Sequence, residues 1–307
     1  MRHGARSSVR RTSPKVPRTT SLPDYAVVVV SYNSRQEVEL LVRSLEQATH
    51  PPSFLTVVEN ATGAPAPLLS GIPHSVIHLS HNPGYGSAIN AGVAALPVEV
   101  DWVLVSNPDV VLEPEASEML LGVAVENPAA GAVGPALINP DGTVYPSARE
   151  VPSIGIGAGH ALLGWAWKSN PWTKAYRGTY ESLDPRPSGW LSGACVLVNH
   201  SAFTVIGGFD ENYFMFMEDV DLGWRLGKAG YPSIYVPSAR AHHTVGHSTS
   251  RDKASMAKAH HQSAQRFVSQ LYSAPSHWPL RALVKLGLTL RLWLVHSAHS
   301  ARPKKAD

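Results

Sequence analysis

The run Tyr25-Ala26-Val27-Val28-Val29-Val30 offers no polar position to solvent, which predicts a strand covered on both faces. Ser31-Tyr32-Asn33 ends the run and the period then changes. Over residues 37–48, Val38, Leu41, Val42 and Leu45 recur at helical spacing. Apolar runs at 54–58, 76–79 and 102–105 predict further strands, and residues 87–96 predict a helix. Strand, helix, strand, strand, helix, strand is the order of a parallel α/β sheet with right-handed crossovers. Ligands of such sheets settle beyond the carboxyl ends of the strands, where this chain places Asn33, Glu59, Asn82 and Asp109.

The pattern loosens over 113–186, where Gly and Ala are frequent and Trp165 and Trp167 stand out. Residues 194–199 predict a strand, 220–229 a helix, 234–236 a short strand, 241–250 a histidine-bearing loop and 252–272 a helix. Over 278–296, Arg281, Lys285, Thr289 and His296 share one side of a helix, with Leu283, Leu286, Leu290, Trp293 and Leu294 broadly opposite. Three basic residues interrupt this run, so it predicts a helix lying in a membrane interface rather than crossing it; a helix packed on the domain is the alternative. Arg302, Lys304 and Lys305 favour an anionic membrane surface.

Composition sharpens this reading at three points. A length of 307 residues with 44% hydrophobic content supports one large α/β domain or two small ones. Residues 1–22 carry Arg2, Arg6, Arg10, Arg11, Lys15 and Arg18 without an acid and without an apolar stretch of signal-peptide length. They predict a disordered basic tail, read as a passive leader with contact to anionic lipid or nucleic acid as the alternative; no nucleic-acid partner is expected of the protein. The single cysteine, Cys195, excludes an internal disulfide, agrees with a reducing compartment, and sits in an apolar run as a small core residue.

The chemistry concentrates in 207–225. There Glu218, Asp219 and Asp221 follow the apolar run Tyr213-Phe214-Met215-Phe216-Met217. Apolar walls and crowded carboxylates both raise a carboxyl pKa, as a general base requires. The same acids also suit a helix N-terminus, where the dipole favours negative charge. Asp109 after Pro108 reads either as a metal ligand or as a turn residue. His243 with His247 has the spacing of a zinc pair, without a thiolate or a third well-spaced ligand.

Taken in order, Ser31-Tyr32-Asn33, Glu59-Asn60, Asn107-Pro108-Asp109, Gly207-Gly208-Phe209-Asp210, Glu218-Asp219-Val220-Asp221 and His243 resemble the family 2 glycosyltransferases of GT-A fold. The resemblance spans roughly residues 24–250. It implies an α/β fold, a GT-A single domain over 23–250 with a mixed, mostly parallel sheet flanked by helices. Residues 23–112 would be the nucleotide-sugar half and 113–250 the acceptor half, with C-terminal helices over 251–307. It also implies site roles. Asp219 would be the catalytic base, with Glu218 and Asp221 tuning it. Asp109 would hold a Mg²⁺ or Mn²⁺ ion on the donor diphosphate, with His243 as a further ligand and His242 as runner-up. Asn107 stands where the family's Asp-x-Asp motif has its first acid, and Glu59 where the family usually has Asp.

Tyr32, Asn33, Glu59, Gly84, Gly86, Asn90 and Asn107 would face the nucleotide sugar; Arg149, Trp190, Ser192, Gly193 and Arg225 would face the acceptor, with a core tryptophan as the alternative for Trp190. Within the family the chain is similar to the bacterial rhamnosyltransferases. That implies inverting transfer of L-rhamnose from dTDP-L-rhamnose to an amino sugar on polyprenyl diphosphate, at the cytoplasmic, inner surface of the cell membrane. A transferase using UDP-galactofuranose or a UDP-hexose, and a nucleotide-sugar-binding protein without catalysis, stay open as rivals.

Overall fold

The computed structural model of the chain describes residues 21–60, 71–153, 182–243 and 253–300, with the backbone alone over 253–255 and 291–300. The expected tail up to residue 20, Trp165, Trp167, His247 and the cations beyond residue 300 lie outside the described residues.

Strand β1 (Tyr25–Ser31) is buried along its whole length. Its alternation divides the valine run between two cores, Val27 and Val29 on one face and Val28 and Val30 on the other. Helix α1 (Arg35–Glu46) covers the first face through Val38, Leu41, Val42 and Leu45. Parallel strands β2 (Phe54–Asn60) and β3 (His74–Leu79) extend the sheet, and α2 (Tyr85–Ala94) covers the second face through Ala88, Ile89 and Val93. Strand β4 (Trp102–Ser106) pairs in parallel on the other side of β1. These boundaries lie within two residues of the expected ones.

The later part departs from the expectation. Strand β5 (Val110–Leu112), helix α3 (Ala116–Glu126) and the fully buried strand β6 (Ala132–Ile138) occupy a stretch whose periodicity is weak. The short strands β7 (Val144–Tyr145), β8 (Ala148–Arg149), β9 (Arg186–Ser188) and β10 (Trp190–Leu191) follow, with β8 and β10 forming a separate ribbon. Strand β11 (Cys195–Asn199) runs antiparallel between β4 and β6. Helices α4 (His200–Val205) and α5 (Glu218–Lys228) lead to β12 (Ser233–His243), parallel to β6. The main sheet therefore has the order β3-β2-β1-β4-β11-β6-β12-β5, mixed and flanked by helices, an α/β architecture. Helices α6 (Lys253–Leu271) and α7 (Trp278–Ser300) form the C-terminal extension.

Strand β12 corrects the expectation of a short strand followed by a loop from 241. It has eleven residues, with an irregularity between Val236 and Arg240 where Pro237 interrupts the pairing with β6. Past that irregularity Ala239, Ala241 and His243 point inward while Ser238, Arg240 and His242 point to solvent. Histidine 243 is thus the inward residue of a strand, and its neighbour is the outward one.

Candidate active site

Helix α5 opens on an unusual turn. Phe216 and Met217 both have left-handed backbone (φ 68° and 65°), a conformation that costs each non-glycine residue about 1–2 kcal/mol. The double turn swings the chain so that Glu218 and Asp219 leave the helix N-terminus side by side. Asp219 Oδ1 accepts from the Val220 N–H at 2.9 Å and Oδ2 from the Gly193 N–H at 3.1 Å. The acid cluster therefore satisfies helix amides and still presents a carboxylate across the chain to the loop before β11. A Cβ on Gly193 would stand 3.4 Å from Asp219 Cβ, so the approach is close.

Burial raises the pKa of both acids. For Glu218, burial and then the adjacent Asp219 push it up to about 8. Burial also raises Asp219, but the two amide donors and the Arg149 charge oppose the rise there. Glu218 Oε2 has no hydrogen-bond partner among the described residues. The shared proton of the pair belongs on Glu218, which leaves Asp219 as the carboxylate.

A second corner forms beside it. The Asn107 N–H donates to the Ala194 carbonyl at 2.8 Å, which brings the 107–109 turn against the Gly193 loop. Pairing of β5 with β12 sets Val110 opposite His243. His243 Nε2 then lies 3.2 Å from Asp109 Oδ1 and 3.4 Å from the Asn107 amide nitrogen. Two adjacent ligands of an octahedral ion with bonds near 2.1 Å are about 3 Å apart, so Asp109 and His243 fit a shared divalent cation. No group of three or more His, Cys, Asp or Glu side chains stands ready for a metal among the described residues. His242 instead turns to Glu113 at 3.3 Å, half exposed.

Register sets the far wall. Ser31 lies opposite Glu59 on neighbouring strands, so Tyr32-Asn33 and Glu59-Asn60 leave the sheet together. Tyr32 is exposed, Glu59 is buried, and Asn33 has φ 55°. Arg149 on β8 faces Trp190 on β10 with its guanidinium 5.5 Å from the ring, its Nε–H donating to the Pro146 carbonyl at 2.9 Å. Ser192 is buried, and its Oγ accepts from the Ala194 N–H.

Several expected contacts are turned to the protein itself. Asn90, expected to face the nucleotide, is spent on Phe209, donating to its carbonyl and accepting from its N–H at 2.9 Å each. The close approaches that Gly84 and Gly86 allow are to the Phe214 backbone and the Phe209 side chain. Trp190 is 9% exposed, donates its indole N–H to the Glu150 carbonyl and packs with Tyr213, Val220 and Phe267 as a core residue. Asp221 is fully buried with Arg225 Nε at 2.6 Å, and Arg225 Nη1 donates to the Ile206 carbonyl. This ion pair braces the underside of α5, away from the Gly193 loop.

One residue escaped the sequence reading. The Tyr85 hydroxyl donates to the Gly193 carbonyl at 2.7 Å, burial raises its pKa well above the ordinary value, and the charges of Glu218, Asp219 and Asp109 push the same way. Its ring edge would lie 3.5 Å from a Cβ on Gly193, beside the loop that holds Asp219. The aromatic residue between Gly84 and Gly86 was the available signal.

Comparison with known proteins shows the family and the fold. Residues 22–265 match the family described as glycosyltransferase like family 2. The chain is 45% identical over 297 residues to an N-acetylglucosaminyl-diphospho-decaprenol L-rhamnosyltransferase of Mycobacterium tuberculosis, covering 91% of this chain and 95% of that one. Among solved structures it resembles the mannosyltransferase of Pyrobaculum calidifontis in complex with GDP-Man and Mn²⁺, with a TM-score of 0.55 at 14% identity over 94% of this chain and 77% of the other. It also resembles GalNAc-T7 with UDP, GalNAc and Mn²⁺, with a TM-score of 0.53 at 15% identity over 74% of this chain and 44% of that chain.

Proposed function

The chain belongs to glycosyltransferase family 2 and has the GT-A fold, and from that premise we propose that it moves L-rhamnose from dTDP-L-rhamnose to N-acetylglucosaminyl-diphospho-polyprenol, with inversion, in synthesis of a cell-wall linker. The observation that carries the reading is the carboxylate of Asp219, held by the Gly193 N–H at 3.1 Å on the loop that also receives the Asn107 N–H. Base and diphosphate corner are thereby coupled through two hydrogen bonds to one loop.

The acceptor hydroxyl gives its proton to Asp219 while its oxygen forms a bond to the anomeric carbon. The bond from that carbon to the diphosphate oxygen breaks on the opposite face, so the centre inverts. Glu218, protonated at neutral pH, keeps the charge of the pair on its neighbour. Asp109 and His243 would hold a Mg²⁺ or Mn²⁺ ion, which when bound neutralises charge on the departing diphosphate. Arg149 supplies positive charge on the acceptor side, and Tyr32 offers an exposed ring for the base.

The donor and acceptor assignments rest on the likeness to the mycobacterial rhamnosyltransferase. An acceptor carried on polyprenol places the enzyme at the cytoplasmic face of the membrane, where nucleotide sugars are made. No helix among the described residues is long and apolar enough to cross a membrane; the attachment proposed is peripheral.

Incubation of the purified protein with dTDP-L-rhamnose and a short polyprenyl-diphospho-N-acetylglucosamine tests donor and acceptor together. A product heavier by one deoxyhexose supports the proposal; gain of a hexose from a UDP-sugar, with none from dTDP-L-rhamnose, overturns it. His243→Ala is expected to raise at least tenfold the Mn²⁺ concentration needed for half-maximal donor binding, and an unchanged titration removes His243 from the metal site.

A further inference from the structure

Among its described side chains, helix α7 buries little apolar surface. Trp278, Leu283, Leu286 and Leu290 are 66%, 67%, 66% and 54% exposed. At about 100° per residue, the three leucines fall within about 60° of one another on the helix surface. Val284 and Leu288, half-buried, lie on the opposite side, toward α6. Arg281 sits on that side too, capping the carbonyls of Tyr272, Ser273 and Ala274. The helix is therefore attached by one face and presents a leucine ridge on the other.

Charge says what covers the ridge. Between residues 253 and 306 the sequence has nine Lys and Arg residues and no Asp or Glu. A second copy of this chain would bring the same acid-free, basic segment against itself, whereas an anionic lipid surface complements it. Lys285, exposed on α7 about 100° round the helix from Leu286, adds a cation flanking the ridge.

We propose that the outward face of α7 docks on an anionic phospholipid bilayer, the helix lying in the interface with its leucines among the acyl chains. Three features connect that contact to the catalytic loop. Ser263 Oγ donates to the Met215 carbonyl at 2.8 Å, Arg266 pairs with Asp210 at 2.7 Å, and Tyr213 donates its hydroxyl to Gln270 at 2.7 Å. Helix α6 is thus bolted to the 210–217 loop that delivers Asp219, and a membrane holding α7 holds that loop near lipid-borne substrates. The proposal stands apart from the donor and acceptor assignments, because its test needs neither.

The test is flotation of the full chain with vesicles of phosphatidylglycerol and, separately, of phosphatidylcholine. The wild type is expected to float with the anionic vesicles and to release as salt is raised. The combined variant Leu283→Ser, Leu286→Ser, Leu290→Ser should lose at least tenfold in affinity for them, and Lys285→Gln severalfold. All three leucines are exposed, so the variant should keep the wild-type melting temperature. Equal flotation by variant and wild type overturns the proposal. So does a concentration-dependent dimer that the leucine variant abolishes without any change in vesicle binding.

Discussion

Asp219 and Glu218 are adjacent in sequence and opposite in environment. Asp219 has two amide donors and a nearby guanidinium; Glu218 has burial and a carboxylate neighbour. Asp219→Asn keeps the shape but only one of the two amide contacts, since its NH2 cannot accept from an N–H, and it removes the proton acceptor, so transfer should fall by about 100-fold or more while donor affinity stays near wild type. Steady-state rates with a donor titration check this; wild-type turnover would remove Asp219 from the chemistry.

Glu218 gives a second outcome through linkage. Its pKa rises from 4.5 in the unfolded chain to about 8 in the fold, so the folded state holds the proton more tightly. That stabilisation is complete below about pH 4.5 and drains as pH climbs toward 8. Gln has no proton to lose. Glu218→Gln should therefore melt near wild type at pH 4.5 and several degrees above it at pH 8, and parallel melting curves across that range would refute the assignment. Sequence alone indicated that carboxylates crowd here. Which of them holds the proton depends on Gly193 and Arg149, residues 26 and 70 positions earlier, and no local pattern carries that.

At the scale of elements, the strands around β1 were legible because each is an unbroken apolar run, the mark of a strand buried on both faces. Helix α3 was missed because exposed Met119 and Val125 add apolar positions outside its buried face, which blurs the one-sided stripe. Strand β12 was cut short because Pro237 and the irregularity beside it break the alternation. Once the strand is extended, parity alone chooses between the two histidines, since one-residue steps reverse the facing side.

Loops behave differently. Gly84 has φ 101° and would place a Cβ 2.4 Å from the Phe214 carbonyl oxygen. Gly84→Ala should cost about 1–3 kcal/mol from backbone strain alone. It should also depress transfer, because Tyr85 donates its N–H to that same carbonyl and its hydroxyl to Gly193. Denaturant unfolding and rate measurements on one preparation would show both effects; a variant as stable and active as wild type would contradict the loop packing.

Across the molecule, the C-terminal extension is part of the catalytic fold as well as an appendage. Phe267 on α6 is 1% exposed and meets Trp224 of α5 edge-on at 5.9 Å between ring centroids. Phe267→Ala should cost about 3–5 kcal/mol by the usual cost of emptying an aromatic site in a core. If α6 were only a tether, urea unfolding of that variant would match wild type. Family likeness reached the sheet and the acid cluster from sequence because those depend on short motifs. The docking of α6 on the 210–217 loop depends on pairs such as Arg266 with Asp210, whose partners are 56 positions apart.

Cys195 has a practical corollary. It is the one cysteine of the chain, sealed in the core, with burial pushing its thiol up to about 12. Thiol-directed dyes and spin labels should therefore pass over the native protein, and a cysteine introduced at an exposed position such as Thr289 would react alone. Wild-type protein serves as its own blank, so the depth of α7 in lipid and its distance from the 210–217 loop become measurable by labelling without first stripping the molecule of sulfhydryls.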